Sequence, residues 1–290
     1  MSAQTDLSEK VYIVTGANSG IGFQAAGNFA SRGASLALVC RNQEKGEQAV
    51  KSLIASTGNC RIKLFLADFS SMSSVSRVAD ELLAYYPKID VLCNNAGGAS
   101  GRRTESVDGF ETTFATNHLA GFLLTMKLLP AITEAAKSNL ARIVFTSSYG
   151  HSNSALDFND LNLKNDYSTL KAYGRSKLMN LLTAREIQRH YADKHIVASS
   201  FHPGAVRTAI WGKGGGVARI LGFLMYPFML SIDKGSDTFI WLASSDDEAS
   251  INASGNYFYQ RRQPRIAEFA TDEAAKKLWE VSSDLIKPYI

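Results

Sequence analysis

Tyr173 and Lys177 stand four residues apart in the run Ala172-Tyr-Gly-Arg-Ser-Lys-Leu178. On a helix that spacing puts both side chains on one face. A free phenol titrates near ~10, and a nearby ammonium favours the phenolate and draws that value down. The pair therefore suits general acid–base chemistry. Ser147 and Ser148 follow the apolar run Ile143–Thr146. A hydroxyl at that point can polarise a carbonyl oxygen. Adjacent residues on a strand face opposite ways, so only one of the two can point at a site. Asn117, in Thr116-Asn-His-Leu119, can hold a water that relays protons. The five His and three Cys show no metal-ligand spacing, so no metal is expected.

A second chemistry-bearing feature opens the chain. Lys10–Gly22 reads KVYIVTGANSGIG: an apolar strand, then Gly16, Gly20 and Gly22, then a helical pattern. Glycines let the backbone turn tightly and approach a pyrophosphate, whose charge then meets a helix N-terminus. The second strand ends Leu38-Val39-Cys40-Arg41-Asn42. An acid at that place would bond a ribose 2′-hydroxyl, whereas an arginine accommodates a 2′-phosphate. Cys40 stands where the acid would be and Arg41 follows, which favours NADPH over NADH.

These groups need a scaffold that brings them to one edge. The runs Val11–Val14, Ser35–Val39, Ile62–Ala67, Val91–Cys93, Ile143–Thr146 and Val197–Phe201 are short, apolar and β-branched, as buried parallel strands are. Amphipathic stretches at Gln24–Ser31, Gln43–Ser56, Met72–Tyr85, Phe110–Thr133 and Thr169–Tyr191 alternate with them. The alternation predicts an α/β fold: a doubly wound parallel sheet of about seven strands with helices on both faces. Gly255–Tyr259 reads as the last strand, at one edge. No linker or internal repeat divides residues 1–290, so a single domain is expected.

With these residues in view, the chain resembles the short-chain dehydrogenase/reductase family from Lys10 to about Tyr259. Thr15–Gly22 is similar to the family's cofactor motif, Asp68 to its adenine-contacting acid, and Asn94–Gly97 to its Asn-Asn-Ala-Gly motif. His202-Pro203-Gly204 with Thr208 is similar to the motif near the nicotinamide. Asn117, Ser148, Tyr173 and Lys177 match the catalytic tetrad, which selects Ser148 over Ser147. The resemblance implies cofactor contacts from Gly16, Asn18, Ser19, Gly20, Ile21, Gly22, Arg41, Asp68, Phe69, Asn95, Ala96, Gly97, Tyr173, Lys177, Pro203, Gly204, Val206 and Thr208. It also implies that Lys177 lowers the Tyr173 pKa and holds the ribose hydroxyls of the nicotinamide, and that Asn117 anchors a relay water. The 25-residue separation of Ser148 and Tyr173, with Asn117–Leu124 and Cys40-Arg41-Asn42, is similar to the retinol-dehydrogenase-like branch. That branch implies an NADP(H)-dependent enzyme for apolar alcohols, aldehydes or ketones, with Tyr173 as general acid or base. A homodimer or homotetramer pairing through the helices that carry Asn117 and Tyr173 is expected. The alternative is a non-catalytic NADP(H) sensor or scaffold of the same fold. A sugar-nucleotide epimerase fits the glycine spacing poorly.

The composition agrees. Lys+Arg 31 against Asp+Glu 27 gives +4, scattered along 290 residues. Nucleic-acid binding, which needs a basic stripe, is not expected. Cys40, Cys60 and Cys93 form no disulfide framework, and the polar opening Met1–Lys10 shows no apolar signal run, so a cytoplasmic setting is expected. The apolar run Ile220–Ile232 is shorter than the ~20 residues of a membrane span. It reads as part of a substrate lid over about 209–232, with Gly212–Gly216 and Trp211 close by and an apolar cover from Phe223, Leu224, Met225, Tyr226, Phe228 and Met229; a surface membrane contact or an oligomer contact is the rival use. His202 is expected to serve its turn, and His118 and His151 to be hydrogen-bonded structural residues. Arg261, Arg262 and Arg265 read as solvated surface, and the sequon at Asn252-Ala-Ser254 as idle.

Overall fold

A computed structural model describes residues 5–206 and 230–290. Seven parallel strands form one sheet: β1 Val11–Thr15, β2 Ser35–Cys40, β3 Ile62–Leu66, β4 Val91–Asn94, β5 Ala141–Thr146, β6 Ile196–Phe201 and β7 Tyr257–Phe258. Their order is β3-β2-β1-β4-β5-β6-β7. The order reverses between β1 and β4, the place where open α/β sheets bind ligands beyond their C-terminal strand ends. The loops after β1, β4, β5 and β6 carry the glycines, Asn95, Ser148 and Pro203 to that edge.

Period-two alternation sorts each strand between two apolar layers. Ile13, Ala37, Val39, Leu92, Ile143 and Phe145 face one core. Tyr12, Val14, Leu36, Leu38, Val144 and Phe201 face the other. The first core is covered by α3 (Met72–Tyr85), α4 (Thr112–Ala136), α5 (Thr169–Tyr191) and, past β7, the C-terminal helix α8 (Asp272–Ile286). The second is covered by α1 (Gly20–Ser31), α2 (Gln43–Thr57) and α6 (Ile232–Ser244); the short α7 (Glu248–Ile251) follows.

Helix starts follow local chemistry. Asn42, Ser71, Ser168, Ser231 and Thr271 accept a backbone N–H in the first turns of α2, α3, α5, α6 and α8, which satisfies one of the amides a helix end leaves free. α4 is long and apolar enough to cross a bilayer, yet 72% of that apolar window is buried inside the protein. It is a core helix with a π turn over Ala115–Leu119, where a regular helix was expected. β7 is shorter than the expected Gly255–Tyr259. Gly255 and Tyr259 are held outside the ladder by backbone bonds to Ala198 and Arg262.

α8 covers part of the outer surface of α4 and α5, the helices expected to pair with a second copy. Trp279 meets the Phe122 ring edge-on at 5.1 Å and stacks on His190 at 4.6 Å. Arg185 and Arg189 pair with Asp272. An assembly through this part of the surface would have to displace α8.

Candidate active site

The glycine loop is built around close approaches. Gly16 and Gly20 have φ of 66° and 59°, in the left-handed region that glycine adopts freely. A Cβ at Gly16 would lie 2.9 Å from the Ala96 Cα, and one at Gly22 only 2.5 Å from the Asn95 amide nitrogen. Asn95 donates from Nδ2 to the Thr15 carbonyl at 2.9 Å and accepts at Oδ1 from the Thr146 hydroxyl at 3.3 Å. It thereby ties the ends of β1, β4 and β5 together. Thr15, which the sequence reading did not single out, accepts from the N–H of Asn95 and of Ala96 at 2.9 Å each. Its signal was its place directly before Gly16, where a buried hydroxyl needs partners.

The residues fit a dinucleotide. Ser19 precedes α1, but no side chain caps the helix and no acid occupies its first turn. The amides of that turn are left to an anion, and Gly16 and Gly22 keep the approach clear of side chains. Arg41 is exposed at the end of β2 and has no hydrogen bond or ion pair among the described residues. Cys40 beside it is buried, and burial pushes its thiol up to about 11. Asp68 accepts at Oδ1 from the Ser70 N–H and hydroxyl, which holds the turn after β3. The Phe69 side chain lies in the core, so only its backbone is available to a cofactor.

The tetrad residues come together over the ends of β4 and β5. Ser148 turns toward Tyr173: a Cβ placed on Gly150 would lie 3.5 Å from both the Ser148 hydroxyl and the Tyr173 ring. Ser147 faces away, buried, and donates to the Lys177 carbonyl at 2.7 Å. Lys177 is buried, and its Nζ donates to the Thr146 carbonyl at 3.0 Å. Asn180 donates to the same carbonyl at 3.1 Å. Its spacing from Tyr173 and Lys177 on one helical face was the signal available for it. Asn117 spends its side chain on the turn after β4: Oδ1 accepts from the Gly98 N–H and Nδ2 donates to the Gly98 carbonyl, both at 2.8 Å, and Nδ2 also reaches the Ser176 hydroxyl at 3.0 Å.

Both titrating groups of the site are governed by burial. Burial pushes the Tyr173 phenol up, opposed by a hydrogen bond with Ser148. The ammonium lies 5.4 Å from the ring centroid and is engaged with Thr146. Burial lowers Lys177 itself to about 8.

The flanking histidines have structural partners. His151 bonds the Ser148 carbonyl through Nδ1 at 2.8 Å, and His202 accepts the Gly204 N–H at 3.0 Å within the Pro-Gly turn. The insertion between Ser148 and Tyr173 is anchored: Tyr167 donates to the Ser100 carbonyl, and Arg103 to that of Asn162. Val206 pairs with Leu230, whose N–H donates to the Ala205 carbonyl at 2.8 Å. Thr208, Trp211 and the lid residues up to Met229 lie outside the described residues. Arg261 pairs with Asp237 and Arg265 with Glu268, as surface ion pairs do.

The comparisons with known proteins agree with this geometry. The short chain dehydrogenase family model matches residues 10–215. A protein of Streptomyces sp. (strain C5) whose name proposes a daunorubicin C-13 ketoreductase is 38% identical over 278 residues, covering 96% of this chain and 92% of its own. Retinol dehydrogenase 12 of Mus musculus is 36% identical over 278 residues, covering 96% and 86%. Among solved structures, a Mycobacterium paratuberculosis protein without an assigned function superposes with a TM-score of 0.78 at 29% identity, covering 99% and 96% of the two chains. The NADP complex of Pseudomonas aeruginosa RhlG superposes with a TM-score of 0.70 at 24% identity, covering 93% and 100%, a likeness of fold. A seven-stranded parallel sheet, a glycine-lined cradle and a Ser–Tyr–Lys constellation at one sheet edge thus coincide with a family match over most of the chain, and the protein belongs to the short-chain dehydrogenase/reductase family, in its retinol-dehydrogenase-like part.

Proposed function

We propose that the protein is an NADP(H)-dependent oxidoreductase that interconverts an apolar alcohol and its aldehyde or ketone. The observation that carries this reading is the convergence of Ser148 and Tyr173 on one point above β5, with Lys177 behind them. The cradle of Gly16, Gly20 and Gly22 would hold a nicotinamide cofactor, whose chemistry would be to supply or accept a hydride. The protein handles the proton. In reduction, the neutral Tyr173 phenol donates to the substrate oxygen while the Ser148 hydroxyl hydrogen-bonds the same atom. Lys177, poised near neutral pH, restores the proton to Tyr173 and would hold ribose hydroxyls of the cofactor, while Asn117 fixes the turn after β4 beside it.

Arg41 supports the NADP preference, as a cation without an ion pair among the described residues where the 2′-phosphate would lie. The named activities of the ketoreductase and retinol dehydrogenase relatives support carbonyl and alcohol substrates. The free thiols of Cys40, Cys60 and Cys93 support a cytoplasmic setting, and a homo-oligomer would use surface that α8 leaves open. The intact tetrad argues against a non-catalytic sensor.

The decisive assay offers aldehydes, ketones and secondary alcohols with NADPH or NADP. Turnover that falls by roughly 10²–10⁴ in Tyr173→Phe supports the reading. Wild-type turnover in that variant sinks it.

A further inference from the structure

α4 leaves regular helical geometry over Ala115–Leu119, in a π turn with Asn117 at its centre. Such a turn interrupts the ordinary backbone ladder by one residue and recurs at functional sites. Something must hold it, because the regular helix is the local alternative. Asn117 and His118 are consecutive and so point to different sides of the helix. Asn117 reaches inward to Gly98 and Ser176. His118 reaches outward to α8, where Nε2 and the Ser282 hydroxyl share a hydrogen bond of 2.8 Å. Both partners are buried.

The surroundings of His118 are those of a core phenylalanine. Its ring stacks on Phe114 at 5.8 Å and an interplanar angle of 12°, and lies tilted on Phe122 at 5.9 Å. Burial pushes the imidazole down to about 3, so it is neutral. A polar ring in such a place is costly unless bonded, and a phenyl ring would fill the space without that cost. What the imidazole adds is direction: Nε2 is bonded to the Ser282 hydroxyl on α8, Asn180 of α5 is its other polar side-chain neighbour, and Nδ1 makes no hydrogen bond among the described residues. Ser176, at the inner end of the same chain of contacts, donates to the Tyr173 carbonyl at 2.7 Å.

We propose that His118 is a positioning residue, which, held by Ser282 of α8, sets the rotation of the π turn and thereby aims Asn117 at the Gly98 peptide and the helix that carries Tyr173. The C-terminal helix is then part of the active-site scaffold, although it supplies no group to the reaction. This inference rests on the reading of Tyr173 and Lys177 as the proton-handling pair.

The test compares Ser282→Ala, His118→Phe and His118→Gln in the full chain, with active sites counted by NADPH titration. Ser282→Ala and His118→Phe should each lower kcat per cofactor site about tenfold, a size that slight misplacement of a site group produces. KM for the carbonyl substrate should change less than about twofold, and His118→Gln, which keeps a polar group at the Nε2 position, should restore at least about half of the rate. Ser282→Ala in an Asn117→Ala background should cost nothing further, because both act through one contact. Wild-type kcat per site in Ser282→Ala and His118→Phe overturns the proposal, as does a loss that multiplies with Asn117→Ala. A Tyr173→Phe variant with wild-type turnover overturns the underlying mechanism instead, so the two failures are distinguishable.

Discussion

The Lys177 ammonium and the Thr146 carbonyl are joined by a 3.0 Å hydrogen bond beneath the site. Asn180 shares that carbonyl, so the lysine can leave it without orphaning a buried acceptor. Lys177 therefore has a resting partner and a place to go.

Lys177→Met should stabilise the protein at neutral pH while abolishing turnover. Burial lowers the lysine from 10.5 to about 8. Below about 8 both folded and unfolded chains carry the charge, and the fold bears its full desolvation cost, roughly 3 kcal/mol. Between about 8 and 10.5 the folded lysine is neutral and the unfolded one still protonated, so stability rises with pH. The gain from Met should thus be largest below pH 8 and fade toward 10.5, as read by denaturant unfolding across pH. A gain that grows with pH contradicts this.

The Tyr173 phenol is raised by burial, so reduction, which uses the protonated phenol, should hold its rate into alkaline pH. Oxidation, which needs the phenolate as base, should rise with pH over the same range. Initial rates in both directions from pH 6 to 10 decide it. Profiles that fall and rise the other way would assign the proton transfer to a different group.

Arg41→Ala should weaken NADPH binding by about tenfold to a hundredfold and leave NADH nearly unchanged, as loss of a charge-assisted phosphate bond does. Fluorescence titration with the two cofactors measures the ratio. An unchanged ratio removes the 2′-phosphate argument.

Gly22→Ala should abolish cofactor binding. The new methyl would lie 2.5 Å from the Asn95 Nδ2 and 2.8 Å from the Gly16 carbonyl oxygen, and relieving it must break the link between β1 and β4. Gly58→Ala, whose φ of 72° lies in the left-handed region but whose Cβ meets nothing within 4 Å, should instead cost only about 1 kcal/mol of stability and no affinity. Calorimetry of cofactor binding separates them.

Much of this frame is legible in the sequence. The first six strands are short, largely apolar runs, and α5 spans Thr169–Tyr191 as expected because Ser168 supplies its cap. Ser148 and Tyr173 meet because both follow from strand-end and helix-face rules. The π turn is hidden, since α4 is apolar nearly all round and a one-residue insertion leaves no break in that pattern. α8 is legible only through Thr271 as cap and the spacing of Leu278, Ser282 and Ile286, and nothing local says which face it covers. The resting partner of Lys177 is a backbone carbonyl, which no residue pattern records.

The bridge between Val206 and Leu230 closes a stem at the rim of the site. Chain length between two joined ends is thermodynamically cheap: doubling it costs only about 0.6 kcal/mol. The separation of Ala205 and Leu230 is thus fixed by the bridge and not by the number of residues between them. A chain of different length between the same two ends should therefore leave the bridge, and the Pro203-Gly204 turn that precedes it, in place.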